Sequence, residues 1–251
     1  MAIEQKILTF GTNKVGTVAN KLMGFTQFLP TNLAGNIVWL NNDPSTMTMS
    51  GANRVSEWRD SSGNLHHFIQ ATGGNQPLYV ENGINGQNGI QWQNGTNQWL
   101  GRNFGVTYAQ PIDIFVVWNL DVNSTASFPY VFDRNTASGN RPHLFWNSNN
   151  VRGGSPTQVT AYGSKTRPFN LMNTNVMFNN TLTRVYENGT LKNTVTTGSD
   201  GLTSMRLGHL FTPDATTRLS GFICEVIIYS RELNATERGL VNDYLNLKYG
   251  L

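Results

Sequence analysis

Residues Val38 to Leu100 read VWLNNDPSTMTMSGANRVSEWRDSSGNLHHFIQATGGNQPLYVENGINGQNGIQWQNGTNQWL. Short apolar pieces alternate here with Asn, Asp, Ser and Gly, and Trp recurs at Trp39, Trp58, Trp92 and Trp99. Apolar runs this short, bounded by turn formers, suit antiparallel strands and not helices. Asn94-Gly95, between Gly89–Trp92 and Gln98–Leu100, predicts a tight hairpin, because Asn and Gly accept the positive φ that a two-residue turn needs.

The rhythm continues outward. Ile37–Leu40 and Val55–Trp58 read as strands, and Pro111–Leu120 (PIDIFVVWNL) as a central strand apolar on both faces. Further strands are expected at Tyr130–Phe132, His143–Trp146, Val159–Tyr162, Leu171–Phe178, Met205–Leu207 and Phe222–Tyr229. Thr183–Tyr186 and Thr190–Val195 flank Asn188-Gly189 as a second hairpin. Together they predict an all-β fold, two antiparallel sheets packed as a sandwich. One helix is expected at the C-terminus. Asn234 caps it, Glu237 completes a capping box, Leu240, Val241, Tyr244, Leu245 and Leu247 form its apolar face, and Gly250 stops it. Residues 1–35 carry Gly11, Gly16, Gly24, Pro30 and Gly35, too many breaks for a long helix. They are read as an N-terminal extension or docking segment, packed on its own sandwich or on a neighbouring subunit, ahead of a domain over 36–251.

With 251 residues the chain is long enough to bury a core without staples. Charged residues make up 13%, about half the usual share, and polarity comes from uncharged Asn, Gly, Thr and Ser. The net charge of +3 is not concentrated in any Lys/Arg run, so no nucleic acid is expected as a partner. Cys224, in the apolar run GFICEVIIYS, has no disulfide partner and reads as a buried strand thiol. MAIEQKILTF lacks the apolar stretch of a secretory signal, and no run approaches the ~18 apolar residues of a membrane span. Synthesis in a cytoplasm without a signal peptide, and no membrane insertion, are expected.

Several of these residues form a recognisable set. Val38-Trp39-Leu40 is followed by Trp58-Arg59-Asp60-Ser61-Ser62-Gly63-Asn64, by Pro77-Leu78-Tyr79, and by an Asn88-Gly89 to Leu100 hairpin with Trp92 at its aromatic position. Tyr186-Glu187-Asn188-Gly189 follows in mid-domain. The chain ends with Gly221, Ile223, Glu225-Val226-Ile227-Ile228-Tyr229, Arg231, Leu233, Glu237-Arg238 and Lys248-Tyr249-Gly250. From Asn36 to Leu251 this resembles the concanavalin A-like lectin/glucanase superfamily, and within it the laminin G-like jelly rolls of phage and bacterial surface proteins. The resemblance implies a two-sheet antiparallel jelly-roll sandwich with a C-terminal helix. It also implies a non-enzymatic structural or adhesion protein of a bacteriophage virion: head decoration, fibre or tail component. Such a protein sits on the virion surface, contacts other virion proteins through residues 1–35 and forms a homo-oligomer. A carbohydrate-binding module for cell-surface glycans is the alternative, and a polysaccharide hydrolase the third reading.

The residues carry limited chemistry. Hydrolysis of a glycosidic bond needs two carboxylates ~5–9.5 Å apart. Glycosidases on this fold often carry an E-x-D-x-x-E strand, which is absent here, so the chain is read as not an enzyme. His66 and His67 are adjacent and would face opposite ways on a strand, and His143 and His209 lack zinc spacing. No cofactor is expected, with calcium possible: Asp43, Asp60, Asp121, Asp133 and Asp214 fall in expected turns and loops, while Asn41 stands where the resembling family often has Asp. Trp39, Trp58 and Trp92 read as framework. For sugar binding, an aromatic ring to stack on the sugar and nearby amides point to Trp146, Asn147 and Asn149, with Arg152 and Tyr162 as neighbours. Glu225, in an apolar strand, is expected to pair with Arg231 or Arg59 or to face water.

Overall fold

The run IDIFVVWNL forms strand β8 (Ile112–Leu120), buried along its whole length. Its side chains alternate between two apolar cores. Ile112, Ile114, Val116, Trp118 and Leu120 enter a core between two sheet layers, while Phe115 and Val117 enter a second core under a helix. The computed structural model describes residues 27–136, 141–155, 166–212 and 214–251. The strand expected at Val159–Tyr162 and residues 1–26 of the N-terminal segment lie outside them.

Among the described residues, sixteen antiparallel strands make one continuous sheet folded over on itself. The layer containing β8 runs from β14 (Thr190–Val195) through β13 (Thr183–Glu187), β12 (Phe169–Phe178), β8 and β16 (Gly221–Tyr229) to β6 (Gln87–Trp92) and β5 (Leu78–Ile84). Strand β1 (Asn36–Leu40) pairs with the second half of β16. The facing layer runs from β11 (Asn150–Gly154) through β10 (His143–Asn147), β9 (Tyr130–Asp133), β15 (Leu202–Leu207) and β7 (Leu100–Tyr108) to β4 (Phe68–Ile69) and β3 (Arg54–Trp58). Strand β2 (Met47–Ser50) lies on β3, and Arg54 opposite Leu78 joins the layers at one edge. This is an all-β sandwich with one C-terminal helix. Strands β2 and β4 are too short to show a long alternation, and β7 and β11 are interrupted by Gly, Asn and Arg.

Helix α1 (Ala235–Tyr249) starts at Asn234, whose side chain accepts from Glu237 N while Glu237 reaches back, and it ends at Gly250 in the left-handed region. Its buried stripe differs from the expected one. Val241, Leu245 and Tyr249 face the sheet with Arg238 and Asn242, while Leu240 is 42% and Leu247 86% exposed. Residues 27–35 pack on the same domain: Tyr229 Oη donates to Pro30 O at 2.9 Å, and Arg231 Nε donates to Ala34 O at 2.8 Å.

The Asn188-Gly189 hairpin joins β13 to β14, with Glu187 opposite Thr190. The hairpin expected at Asn94-Gly95 does not form. Of the two residues only Gly95 takes a positive φ, and the segment crosses from β6 in one layer to β7 in the other. The hairpin that closes on β6 is instead Asn85-Gly86, both at positive φ, with Ile84 opposite Gln87.

Candidate functional site

Trp146, Asn147, Asn149 and Arg152, expected to hold a sugar, do not share one open surface. Asn147 and Asn150 face each other across the β10–β11 turn, with Ser148 and Asn149 at positive φ, so Asn147 and Asn149 shape a tight turn. Trp146 is 4% exposed and belongs to the core between the layers, and the Arg167 guanidinium lies 4.5 Å from its ring centroid. Arg152 pairs with Phe145, one register position from the Trp146–Val151 pair, and so lies on the opposite face of the hairpin. Tyr162 lies outside the described residues. Trp146 therefore offers no open ring face for stacking.

An open cleft of about 560 Å³ lies elsewhere, where the start of the sandwich meets the end of α1. That volume falls within the roughly 300–1,000 Å³ of ligand-binding clefts. Its described lining includes two aromatic residues, Trp39 and Tyr244, the amides Asn42, Gln87 and Asn88, and the charged Asp43 and Lys248. Trp39 is half-buried, unlike Trp58 and Trp92, which fill the core at 0% and 1% exposure. Trp39 and Tyr244 meet edge-on with centroids 6.4 Å apart, and Phe28 meets the Tyr244 ring at 6.2 Å.

Glu225, fully buried behind the cleft, holds this wall in place. The register of β16 shifts between Ile223 and Glu225, a bulge that puts the Glu225 carboxylate on the helix side instead of in the inner core. Four donors meet it there: Trp39 Nε1 and Tyr244 Oη at 2.7 Å on one oxygen, Lys248 Nζ and Tyr249 Oη at 2.6 Å on the other. Burial and the adjacent carboxylate push the Tyr244 and Tyr249 phenols well above their ordinary range, which keeps both as donors. The partner of Glu225 is thus Lys248. Arg231 instead binds Glu237 through both its terminal nitrogens, and Arg59 lies beside Glu57. A tryptophan, two tyrosines and a lysine from β1 and α1 are pinned to one carboxylate, so the cleft wall is rigid before any ligand arrives.

The rim polar groups are only partly used. Asn42 Nδ2 donates to Asn88 O, and Asn88 Oδ1 accepts from Asn82 N. This leaves Asn42 Oδ1, Asn88 Nδ2 and the Gln87 amide without partners among the described residues. Asp43 accepts from Ser45 N at 2.8 Å, and hydrogen bonds from Ser45 hold its carboxyl below the usual range. The arrangement combines an aromatic wall with donors and acceptors a few ångströms around it.

The other candidate chemistry is occupied structurally. Asp60 accepts from Trp39 N, Ser62 N and His66 N, which fixes the loop after β3. Asp121 binds Asn123 N and Ser220 Oγ, Asp133 binds Arg141 and Phe211 N, and Asp214 binds Thr216. Asn41 spans Ser61 Oγ and Asp43 N. Among the described residues no three His, Cys, Asp or Glu side chains come together as a metal-ligand set. His66 contacts Tyr108 Oη at 2.8 Å, and His67 Nδ1 accepts from Asp60 N at 3.0 Å. Burial raises the Cys224 thiol far above its ordinary value, so it stays protonated. No helix among the described residues is long and apolar enough to cross a membrane.

Neither a known protein family nor a curated protein matches the sequence. Solved structures do share the fold. Trypanosoma rangeli sialidase, solved with the inhibitor DANA, aligns over 84% of this chain and 33% of its own length, with a TM-score of 0.57 at 15% identity. Domain 4 of an extracellular GH43 arabinanase from Geobacillus stearothermophilus, solved with arabinotriose, aligns over 82% of this chain and 97% of its own, with a TM-score of 0.55 at 18% identity. The binding domain of botulinum neurotoxin serotype G aligns over 84% and 51%, with a TM-score of 0.57 at 15% identity. This chain spans only about a third of the sialidase and half of the toxin domain. At these identities the likeness is one of fold: the chain is a β-sandwich of the jelly-roll kind.

Proposed function

We propose that this chain is a carbohydrate-binding domain that holds its ligand without turning it over. The observation that carries the reading is the cleft in which Trp39 and Tyr244, locked on Glu225, share a lining with the partly unpaired amides of Asn42 and Asn88 and with Gln87. Sugar rings present apolar C–H faces and hydroxyl edges, and an aromatic wall bordered by amides offers both kinds of contact. Asp43 is the sole carboxylate among the described lining residues, and Glu225 behind it is tied to four donors, which favours binding over hydrolysis. The shared fold with a domain solved with arabinotriose supports the ligand class. A laminin G-like affiliation is the finer form of this reading. No observation among the described residues favours the virion placement, virion partners or homo-oligomer implied by the resemblance.

A glycan array followed by calorimetry tests it. Binding to at least one glycan is expected, weakened roughly tenfold by Trp39→Ala, the size of one aromatic contact of about 1.4 kcal/mol. Near-UV circular dichroism checks that the variant folds, and Asn88→Ala, at a rim position, gives an independent loss. An array with no signal above that of the heat-unfolded chain overturns the proposal.

A further inference from the structure

The charges around the cleft narrow the ligand class, an inference that rests on the glycan-binding reading. Lys248 is the one cation among the described lining residues, and its charge is already taken. Its ammonium donates to Glu225 Oε2 at 2.6 Å and to Tyr244 Oη at 3.2 Å, leaving one N–H for anything in the cleft. The paired carboxylate is fully buried while the lysine is a quarter exposed, so the ion pair offsets most of the lysine charge at the cleft.

Asp43 has no cation in contact, and the field of Lys248 is the smallest of the influences on its carboxyl. Asp43 is exposed on the rim, and the hydrogen bonds its carboxyl accepts come from the neutral Ser45. A second exposed carboxylate, Glu81, adds to the negative field: the Tyr79 phenol is raised first by burial and then by the fields of Glu81 and Asp43. No arginine lines the cleft among the described residues. The unpaired groups comprise an acceptor at Asn42 Oδ1, a donor at Asn88 Nδ2 and both kinds at Gln87. A hydroxyl, which donates and accepts, satisfies such a mixture, whereas a sugar carboxylate or sulfate accepts only and meets the charge of Asp43.

We propose that the cleft selects neutral, hydroxyl-rich sugars over sugars carrying a carboxylate or sulfate. Discrimination comes from Asp43, which no cation contacts, and from the pairing of Lys248 with Glu225. Neutral and acidic partners of one skeleton read this out on the full chain by calorimetry: lactose against 3′-sialyllactose, and β-1,4-mannotriose against β-1,4-trimannuronate. In whichever pair binds, the neutral member is expected to bind about tenfold more tightly, the effect of one like charge a few ångströms away at a protein surface. Asp43→Asn keeps the acceptor for Ser45 N and removes the charge, so it should raise the affinity of the acidic member and close most of that gap. An acidic member that binds as tightly as its neutral partner, or a gap that Asp43→Asn leaves unchanged, overturns the selectivity while the glycan reading stands. A chain that binds neither pair, and no glycan on the array, overturns the glycan reading itself.

Discussion

Glu225 and Asp113 are both fully buried carboxylates on neighbouring strands, and the protein treats them in opposite ways. Glu225 meets four donors, one of them an ammonium. Asp113 meets neutral donors only, the Asn175 amide and Leu233 N at 3.1 Å, and burial pushes its carboxyl up to about 6. The two groups hold opposite ends of α1. Leu233 immediately precedes the helix cap, whereas Tyr244, Lys248 and Tyr249 lie in its last two turns. The contrast separates a purely structural anchor from one that also builds a surface. At the start of the helix two neutral hydrogen bonds suffice. At its end a charged cluster organises Trp39 and Tyr244 as the wall of the cleft.

The largest effect expected from breaking this contrast is at Glu225. Glu225→Leu removes the shared acceptor of four donors, Trp39 Nε1 and the Lys248 ammonium among them. Urea unfolding should show a loss of about 3–5 kcal/mol, the cost of breaking a buried charged cluster from one side. A loss below about 1 kcal/mol would mean that the cluster is too wet to anchor the helix.

The next effect lies in the pH dependence. Asp113 is raised from 3.8 to about 6, so the folded state takes up its proton first. Stability from this group is present below pH ~4 and is lost as pH rises to about 6, roughly 3 kcal/mol in all. His143 and His209 work the other way. Burial lowers each from 6.5 to about 4, so stability falls as pH drops through that window, by about 3 kcal/mol per histidine. Two histidines outweigh one aspartate, and the protein should lose stability on acidification from pH 6.5 to 4. Asp113→Asn removes the opposing group and should steepen that loss by about 3 kcal/mol. Parallel stability curves for the two proteins would show that Asp113 does not hold a raised carboxyl.

The same cluster shows how much was legible in the sequence. The strands of the central layer were readable because their apolar runs are long and both faces are covered, as in IDIFVVWNL. The helix was readable from Asn234, Glu237 and Gly250. The cleft was not. Trp39 and Trp58 both sit near the end of a five-residue strand, and the partial cover given by α1 leaves Trp39 open on one side. The direction of Glu225 depends on a bulge that strict alternation does not contain, since alternation from Ile223 would send it into the inner core. One signal was available: Trp39 is followed within four residues by Asn41, Asn42 and Asp43, a polar run unlike the one after Trp92 only in carrying a carboxylate.

Helix α1 offers the smallest and sharpest comparison. Leu245 and Leu247 look alike in the sequence, and the apolar pattern groups them on one face. In the structure Leu245 is fully buried against the sheet and Leu247 is 86% exposed, because two residues turn a helix through more than half a circle. Leu247→Lys should therefore change stability by no more than about 0.5 kcal/mol, as for surface substitutions in general. It lies next to Lys248 in sequence but on another side of the helix, so the Glu225 cluster and ligand affinity should be unaffected. A destabilisation of about 2 kcal/mol, the scale of a buried leucine, would mean that another surface covers Leu247 in solution.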